Sequence, residues 1–170
     1  MLNGYIRQTL YTLYKGDKMK EDNIYFAGIF DGEGWFRIGR IKGHHHGMKR
    51  EWSFYCEAAL VIREKHIVEE LCKLYGGTIR QEKPRKNTWS TTYKWRCSGN
   101  AAKRFAEIIF PWLRCKKKQA ELLIKFQQEK TINGNKPLTD QRYEFYTSSF
   151  KEFSILNKKG IGKTLIVLTK

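Results

Sequence analysis

Two carboxylates stand at the end of a short apolar segment, Phe26-Ala-Gly-Ile-Phe-Asp-Gly-Glu-Gly34: Asp31 and, two residues later, Glu33. The run from Asn23 reads as a helix that stops at Gly34. Asn23 or Asp22 can cap its free N–H groups, and Gly34 can take the left-handed closing conformation. A carboxylate at a helix C-terminus lies at the negative end of the dipole, which disfavours its charge by about 0.3–1 kcal/mol. A divalent cation relieves that conflict, so the chemistry to expect is metal-assisted. Gly28 and Gly32 fall on one helix face beside Ala27. Each glycine costs roughly 1 kcal/mol relative to alanine inside a helix. Two in one short segment make sense where another backbone approaches closely, as when a helix meets its own copy about a two-fold axis. Such an axis brings a second Glu33 near the first. The same residues also read as an ordinary amphipathic helix with a frayed acidic end.

The rest of the chain says what surrounds these residues. Its 170 residues suffice for one domain with a real core. Lys and Arg number 33 against 17 Asp and Glu, a formal charge of +16 on a chain whose 41% hydrophobic content belongs to a folded body. A folded body so basic repels itself unless a polyanion is its partner, nucleic acid first and an anionic membrane surface second. No apolar run approaches the ~20 residues that span a bilayer. The opening residues lack the apolar stretch of a secretory signal, and Arg7 alone argues weakly for an organelle transit segment. Cys56, Cys72, Cys97 and Cys115 include no closely spaced pair and read as reduced thiols rather than a zinc or disulfide framework.

Periodicity supplies the elements. Residues 1–22 read as a loose N-terminal arm, with Gly4 and Gly16 as breaks, 23–130 as the core domain, and 131–170 as a C-terminal helical extension and tail. After the first helix, Trp35–Lys42 is extended, with Gly39 pointing to a bulge. Glu51–Ile62 alternates, placing Trp52, Phe54, Cys56, Ala58, Leu60 and Ile62 on one face. Glu64–Tyr75 is helical with the stripe Ile67, Val68, Leu71, Leu74 and Tyr75, and Gly76-Gly77 ends it. Thr78–Lys83 and Thr88–Cys97 form a second strand pair. Ala101–Leu113 is a helix that Pro111 ends or kinks, Lys116–Glu129 is another, and Thr139–Leu156 is a satellite helix carrying Phe145, Phe150 and Phe153. The order α-ββ-α-ββ-α-α through Glu129 is that of a mixed α+β domain with antiparallel hairpins.

The segment Phe26–Gly34 closely resembles the signature of the LAGLIDADG homing endonucleases, with glutamate where the last aspartate usually stands. The element order is similar to that family's core, and Trp112-Leu-Arg-Cys-Lys-Lys-Lys-Gln-Ala120 resembles its basic stretch after the second hairpin. The resemblance covers roughly residues 24–130 and includes one signature copy, which implies a homodimer with Ala27, Gly28, Phe30, Asp31 and Gly32 at its interface. It implies an α-β-β-α-β-β-α endonuclease fold with a four-stranded antiparallel DNA-binding saddle. It further implies staggered cleavage of both strands of a long, near-palindromic DNA target, dependent on Mg²⁺ or Mn²⁺. Glu33 and the Gly32 carbonyl fall where the family binds the metal, Lys116 where it keeps a supporting cation, and Arg63, with Glu64 as rival, where a polar residue completes the pocket.

On the saddle, strand faces offer Arg37, Ser53, Glu57, Arg80, Thr92, Lys94 and Arg96, with Arg40 a further candidate. Such arginines and lysines can pair with guanine edges in a major groove. Hairpin tips carrying Lys42, Lys49, Arg50, Lys83, Arg85 and Lys86, and the helix start at Lys117 and Lys118, can reach phosphates. Each of these also reads as a solvated cation. His44-His45-His46 cannot all face one ion and reads as a hairpin tip. Trp89, Tyr93 and Trp95 read as core sooner than base-stacking platforms, and Gly160-Ile-Gly-Lys-Thr164 lacks phosphate-loop spacing. The competing function is a nucleic-acid-binding module without cleavage, an intron-RNA maturase or a transcriptional regulator. The acidic residue at position 33 favours the enzyme, because a pure binder gains nothing from a carboxylate facing phosphate. The expected setting is inside a cell, in an organelle or a prokaryotic or phage-infected cytoplasm, with no membrane partner.

Overall fold

Strict alternation in the strands and 3.6-residue spacing between them produce a sheet covered on one side by helices. The computed structural model describes residues 2–42, 51–82, 84, 90–134, 136 and 138–157, with residues 2–15 as backbone only. In chain order these form α1 (Leu2–Glu33), β1 (Gly34–Lys42), β2 (Trp52–Ile62), α2 (Lys65–Tyr75), β3 (Thr78–Glu82), β4 (Thr92–Ser98), α3 (Asn100–Ile109), a 3₁₀ turn (Phe110–Trp112), α4 (Lys117–Asn133) and α5 (Asp140–Leu156). The sheet has the order β1-β2-β4-β3 with every neighbouring pair antiparallel.

The helix-facing side of the sheet contributes Phe36, Ile38, Phe54, Cys56, Ala58, Leu60, Trp95 and Cys97 to the core. Aromatic rings join the layers: Phe30 lies 4.7 Å from Phe36 and 5.1 Å from Phe105, and Phe105 lies 4.8 Å from Trp95. The buried Trp95 donates its indole N–H to the Gly76 carbonyl at 2.8 Å, satisfying its one polar atom. The four cysteines are free, and burial pushes the Cys56 and Cys97 thiols up to about 12, which keeps them protonated. Among the described residues no helix is long and apolar enough to cross a membrane.

Several expectations need correction. The first helix does not begin at Asn23 but runs unbroken from Leu2. Pro84 is the first proline in the chain, and isolated glycines reduce helix stability without breaking the hydrogen-bond ladder. Asn23 is therefore no cap; its Oδ1 accepts the Tyr75 hydroxyl at 2.7 Å and links α1 to α2. Gly34 is not left-handed but opens β1, and a Cβ there would stand 2.3 Å from a Phe30 ring carbon. Gly39 makes no bulge: the register from Gly34↔Leu60 to Lys42↔Trp52 is continuous, and the Tyr55 ring lies across it. Leu74 is exposed rather than part of the buried stripe. The second strand of the second pair begins at Thr92, while residues 85–89 lie outside the described residues. Pro111 does end α3, and α4 continues to Asn133. Far from being a satellite, α5 buries Tyr146 and Phe153 in the core and sets Tyr143 and Phe150 against Phe54.

Gly77 ends the turn after α2 with φ at 103°, and a Cβ there would sit 2.7 Å from the Arg96 carbonyl oxygen. Both the conformation and the space exclude a side chain. Gly77→Ala is expected to lower unfolding free energy by about 2–3 kcal/mol, read from urea denaturation.

Candidate active site and nucleic-acid interface

The end of α1 is divided by helical phase. Phe26, Ala27 and Phe30 point into the chain's own core and are fully buried. Gly28 and Gly32 are exposed, and a Cβ on either would meet nothing within 4 Å. Of the five residues expected at a helix–helix interface, therefore, Gly28 and Gly32 lie on the open face and Ala27 and Phe30 do not. Ile24 and Tyr25, 45% and 50% exposed, lie on the same open face, one turn before Gly28. Spacing of three and four residues from Gly28 and Gly32 was the signal that could have found them.

The fifth, Asp31, has its side chain committed within the chain. Its carboxylate accepts backbone N–H groups from Arg114 at 2.6 Å, Cys115 at 3.1 Å and Lys116 at 3.0 Å. The Lys116 ammonium in turn donates to the Asp31 carbonyl. The residues just before α4 are thereby fastened to the end of α1, and the cation meets the negative end of that helix. Lys116 thus arrives beside the turn that carries Gly32 and Glu33. Sequence reasoning marked Lys116 and missed what places it.

Glu33 is exposed, and no described residue pairs with its carboxylate. Arg63 stands on an exposed bend just after β2, at the sheet end where Gly34 pairs with Leu60, which is the end that Glu33 occupies. No described hydrogen bond or ion pair joins Arg63 to Glu33 or Lys116. Glu64 sits at the N-cap of α2 without a side-chain cap bond. No group of three His, Cys, Asp or Glu gathers among the described residues. What one chain offers a cation is an exposed carboxylate, unpaired among the described residues, and an exposed glycine backbone beside it. That small set of oxygens suits Mg²⁺, which keeps several waters and takes few protein ligands.

The sheet's other face is open. Register places Arg37, Ser53, Glu57, Thr92, Lys94, Arg96 and Arg80 together on it, as expected. Thr78, Arg80, Glu82, Lys94 and Arg96 line a cleft of about 130 Å³ between β3 and β4. Lys94 holds its ammonium 5.2 Å over the Trp35 ring. Arg40 and Lys42 have the opposite parity and face the helices. Arg40 stacks 4.1 Å over Trp52 and 4.9 Å over Phe150, so it packs α5 onto the sheet and is not on the saddle. Lys49, Arg50, Lys83, Arg85 and Lys86 lie outside the described residues. Lys117 and Lys118 are exposed at the start of α4, whose first turn has no acidic residue. Removing the Asp31 carboxylate leaves three amides without their acceptor. Asp31→Ala is expected to cost about 2 kcal/mol and to speed hydrogen exchange at Arg114–Lys116 more than in α2, measured by residue-resolved exchange.

No family model and no curated protein sequence matches the chain. Solved structures do. The homing endonuclease I-CvuI, in complex with a DNA target in the presence of magnesium, superposes with TM-score 0.68 at 15% identity, over 84% of this chain and 87% of that one. An archaeal intron-encoded homing endonuclease, I-Vdi141I, complexed with DNA, gives 0.67 at 16% identity, over 83% and 87%. The LAGLIDADG homing endonuclease I-SmaMI, bound to cleaved DNA, gives 0.61 at 16% identity, over 84% of this chain but 46% of that one. With its four-stranded saddle, its helix ending at Glu33 and its basic turn at Lys116, the chain has the fold of the LAGLIDADG homing endonucleases.

Proposed function

We propose that the chain is a site-specific DNA endonuclease that works as a homodimer with a divalent cation. The observation that carries this reading is the exposed Glu33 carboxylate at the end of α1, which no described residue pairs with, set beside a lysine fastened by Asp31, at one end of a basic saddle. A binding protein has no use for an exposed carboxylate there. The lysines opening α4 support the same reading. Cations at a helix N-terminus oppose its dipole, and a phosphate at that end reverses the sign of the interaction. The solved structures of I-CvuI and I-Vdi141I hold DNA on this fold.

Glu33 and the Gly32 carbonyl are the residues that would hold the cation. When bound, it supplies an activated water and charge stabilisation at the scissile phosphate. Lys116 stabilises negative charge developing on the phosphate oxygens. Arg63 is assigned the outer polar contact of the pocket. The saddle arginines and lysines read bases, and Lys117 and Lys118 hold phosphates, so binding should weaken steeply with salt.

Two arguments support the dimer. One chain brings a single site carboxylate, and its match to I-SmaMI spans just under half of that longer chain. The open α1 face, notched by Gly28 and Gly32 and lined by Ile24 and Tyr25, suits a second copy.

Glu33→Gln is expected to keep target binding and to lower Mg²⁺-dependent cleavage by more than about 100-fold, in a nicking assay on a selected duplex. Loss of binding, or unchanged cutting, would overturn the assignment of Glu33. A second expectation separates the dimer from the fold. Gly28 is exposed, a Cβ there meets nothing within 4 Å among the described residues, and leucine improves helix propensity, so with Gly28→Leu the subunit is expected to stay folded while sedimentation shifts from dimer to monomer.

A further inference from the structure

Glu57 was expected to read bases from the saddle, yet it is 5% exposed. It lies on β2 between two arginines from the flanking strands. Its Oε1 is 3.7 Å from Arg37 Nη1 of β1 and its Oε2 is 3.8 Å from Arg96 Nη1 of β4. The arginine side chains remain 54% and 55% exposed, while the glutamate between them is 7%. Arg37 also rests 5.7 Å over the Tyr55 ring.

We propose that Glu57 is a positioning residue for specificity: it holds Arg37 and Arg96 side by side so that the pair reads two neighbouring guanines in each half of a duplex DNA target. This rests on the reading of the chain as a sequence-specific DNA-binding enzyme.

Two guanidinium groups brought together over one strand repel each other. Glu57 removes that repulsion from below, where its carboxylate is covered by the arginines and cannot itself meet a base. At 3.7–3.8 Å the pairs are electrostatic and lie beyond hydrogen-bond length, so the arginine N–H donors are not consumed. Each guanidinium has five donors in a planar fork, which matches the O6 and N7 acceptors of guanine. Preorganisation matters because a long side chain loses rotamer freedom when it docks. Parity enforces the arrangement: Arg37 is directly opposite Glu57, and Arg96 is opposite Ala59, one face position along β2. A small residue at Ala59 leaves the diagonal from Glu57 to Arg96 open.

The test is selection of bound duplexes from a randomised library without metal, with dissociation constants for the selected and a scrambled duplex. Wild type is expected to enrich guanine at two neighbouring positions per half-site. Glu57→Gln keeps the side-chain volume but removes the charge. It is expected to lower the preference at both positions together by about tenfold or more, while scrambled-duplex binding tightens because an anion has left the DNA face. A purely structural role would weaken both duplexes alike. Arg37→Ala and Arg96→Ala each lose one position, and adding Glu57→Gln to the double variant lowers specificity no further. Glu57→Asp, which draws the carboxylate back by one methylene, gives the same paired loss and serves if Glu57→Gln melts early. Retained preference in both Glu57 variants, loss spread evenly over the site, or no sequence preference in wild type overturns the proposal. Selection of a site that Mg²⁺ does not cause to be cut overturns the cleavage reading alone.

Discussion

One carboxylate holds the site together. Asp31 accepts three successive backbone amides from the turn before α4, and that turn carries Lys116. Three charge-assisted hydrogen bonds to a single acceptor fix a short segment far better than side-chain packing on an exposed turn would. Because Asp31 sits in the last turn of α1, anything that moves this helix moves Glu33 and Lys116 together. The spacing of Glu33 and Lys116 is therefore set within one unit, whatever the rest of the molecule does. The Lys116 bond to the Asp31 carbonyl adds a second fastening and covers a helix end that would otherwise stand bare beside an anion.

The same helix must also satisfy its own core, and it does so by giving each face one duty. Phe26, Ala27 and Phe30 fill the space against the sheet and α3, while Gly28 and Gly32 leave the far face flat. Large and small residues alternate by helical phase, so close approach on one side does not thin the packing on the other. The glycine at position 34 follows the same logic at the junction, since the Phe30 ring occupies the volume that any side chain there would need.

Much of this was legible from residue order, for reasons that differ by element. Alternation in Trp52–Ile62 and Thr92–Ser98 decides which side chains meet the helices, because a period of two leaves no freedom once one face is apolar. Arg40 shows the limit: its charge advertised the saddle, but its parity placed it with Trp52 and Phe150, and parity prevails because the strand cannot turn one side chain round. Asp31 was illegible for another reason. Its partners are more than 80 residues away in sequence, and nothing local distinguishes a carboxylate that binds amides from one that faces solvent. Glu57 combined both difficulties, being correctly placed on the open face yet buried there by its neighbours. The run of α1 back to Leu2 escaped notice because glycines that end helices elsewhere only weaken this one.

Charge placement limits the self-repulsion of so basic a chain. The excess cations are not spread evenly. Glu57 lies under two of them, Trp35 lies under Lys94, Asp31 ties down Lys116, and Lys65, Lys103 and Lys125 pair with glutamates one helical turn away. Exposed helical pairs of this kind contribute little each, but they prevent repulsion from accumulating on the helical side. At the start of α4, where the helix dipole is itself positive, Lys117 rests its ammonium 5.1 Å over the Phe110 ring, and Lys118 has no ion pair among the described residues. Unfavourable charge thus remains at the start of α4, next in sequence to Lys116. A fold stabilised elsewhere can carry that local cost, and the cost becomes a gain once a phosphate lies against it. Strain of this sign, placed at one spot and matched to one class of ligand, is what separates a site from a merely basic surface.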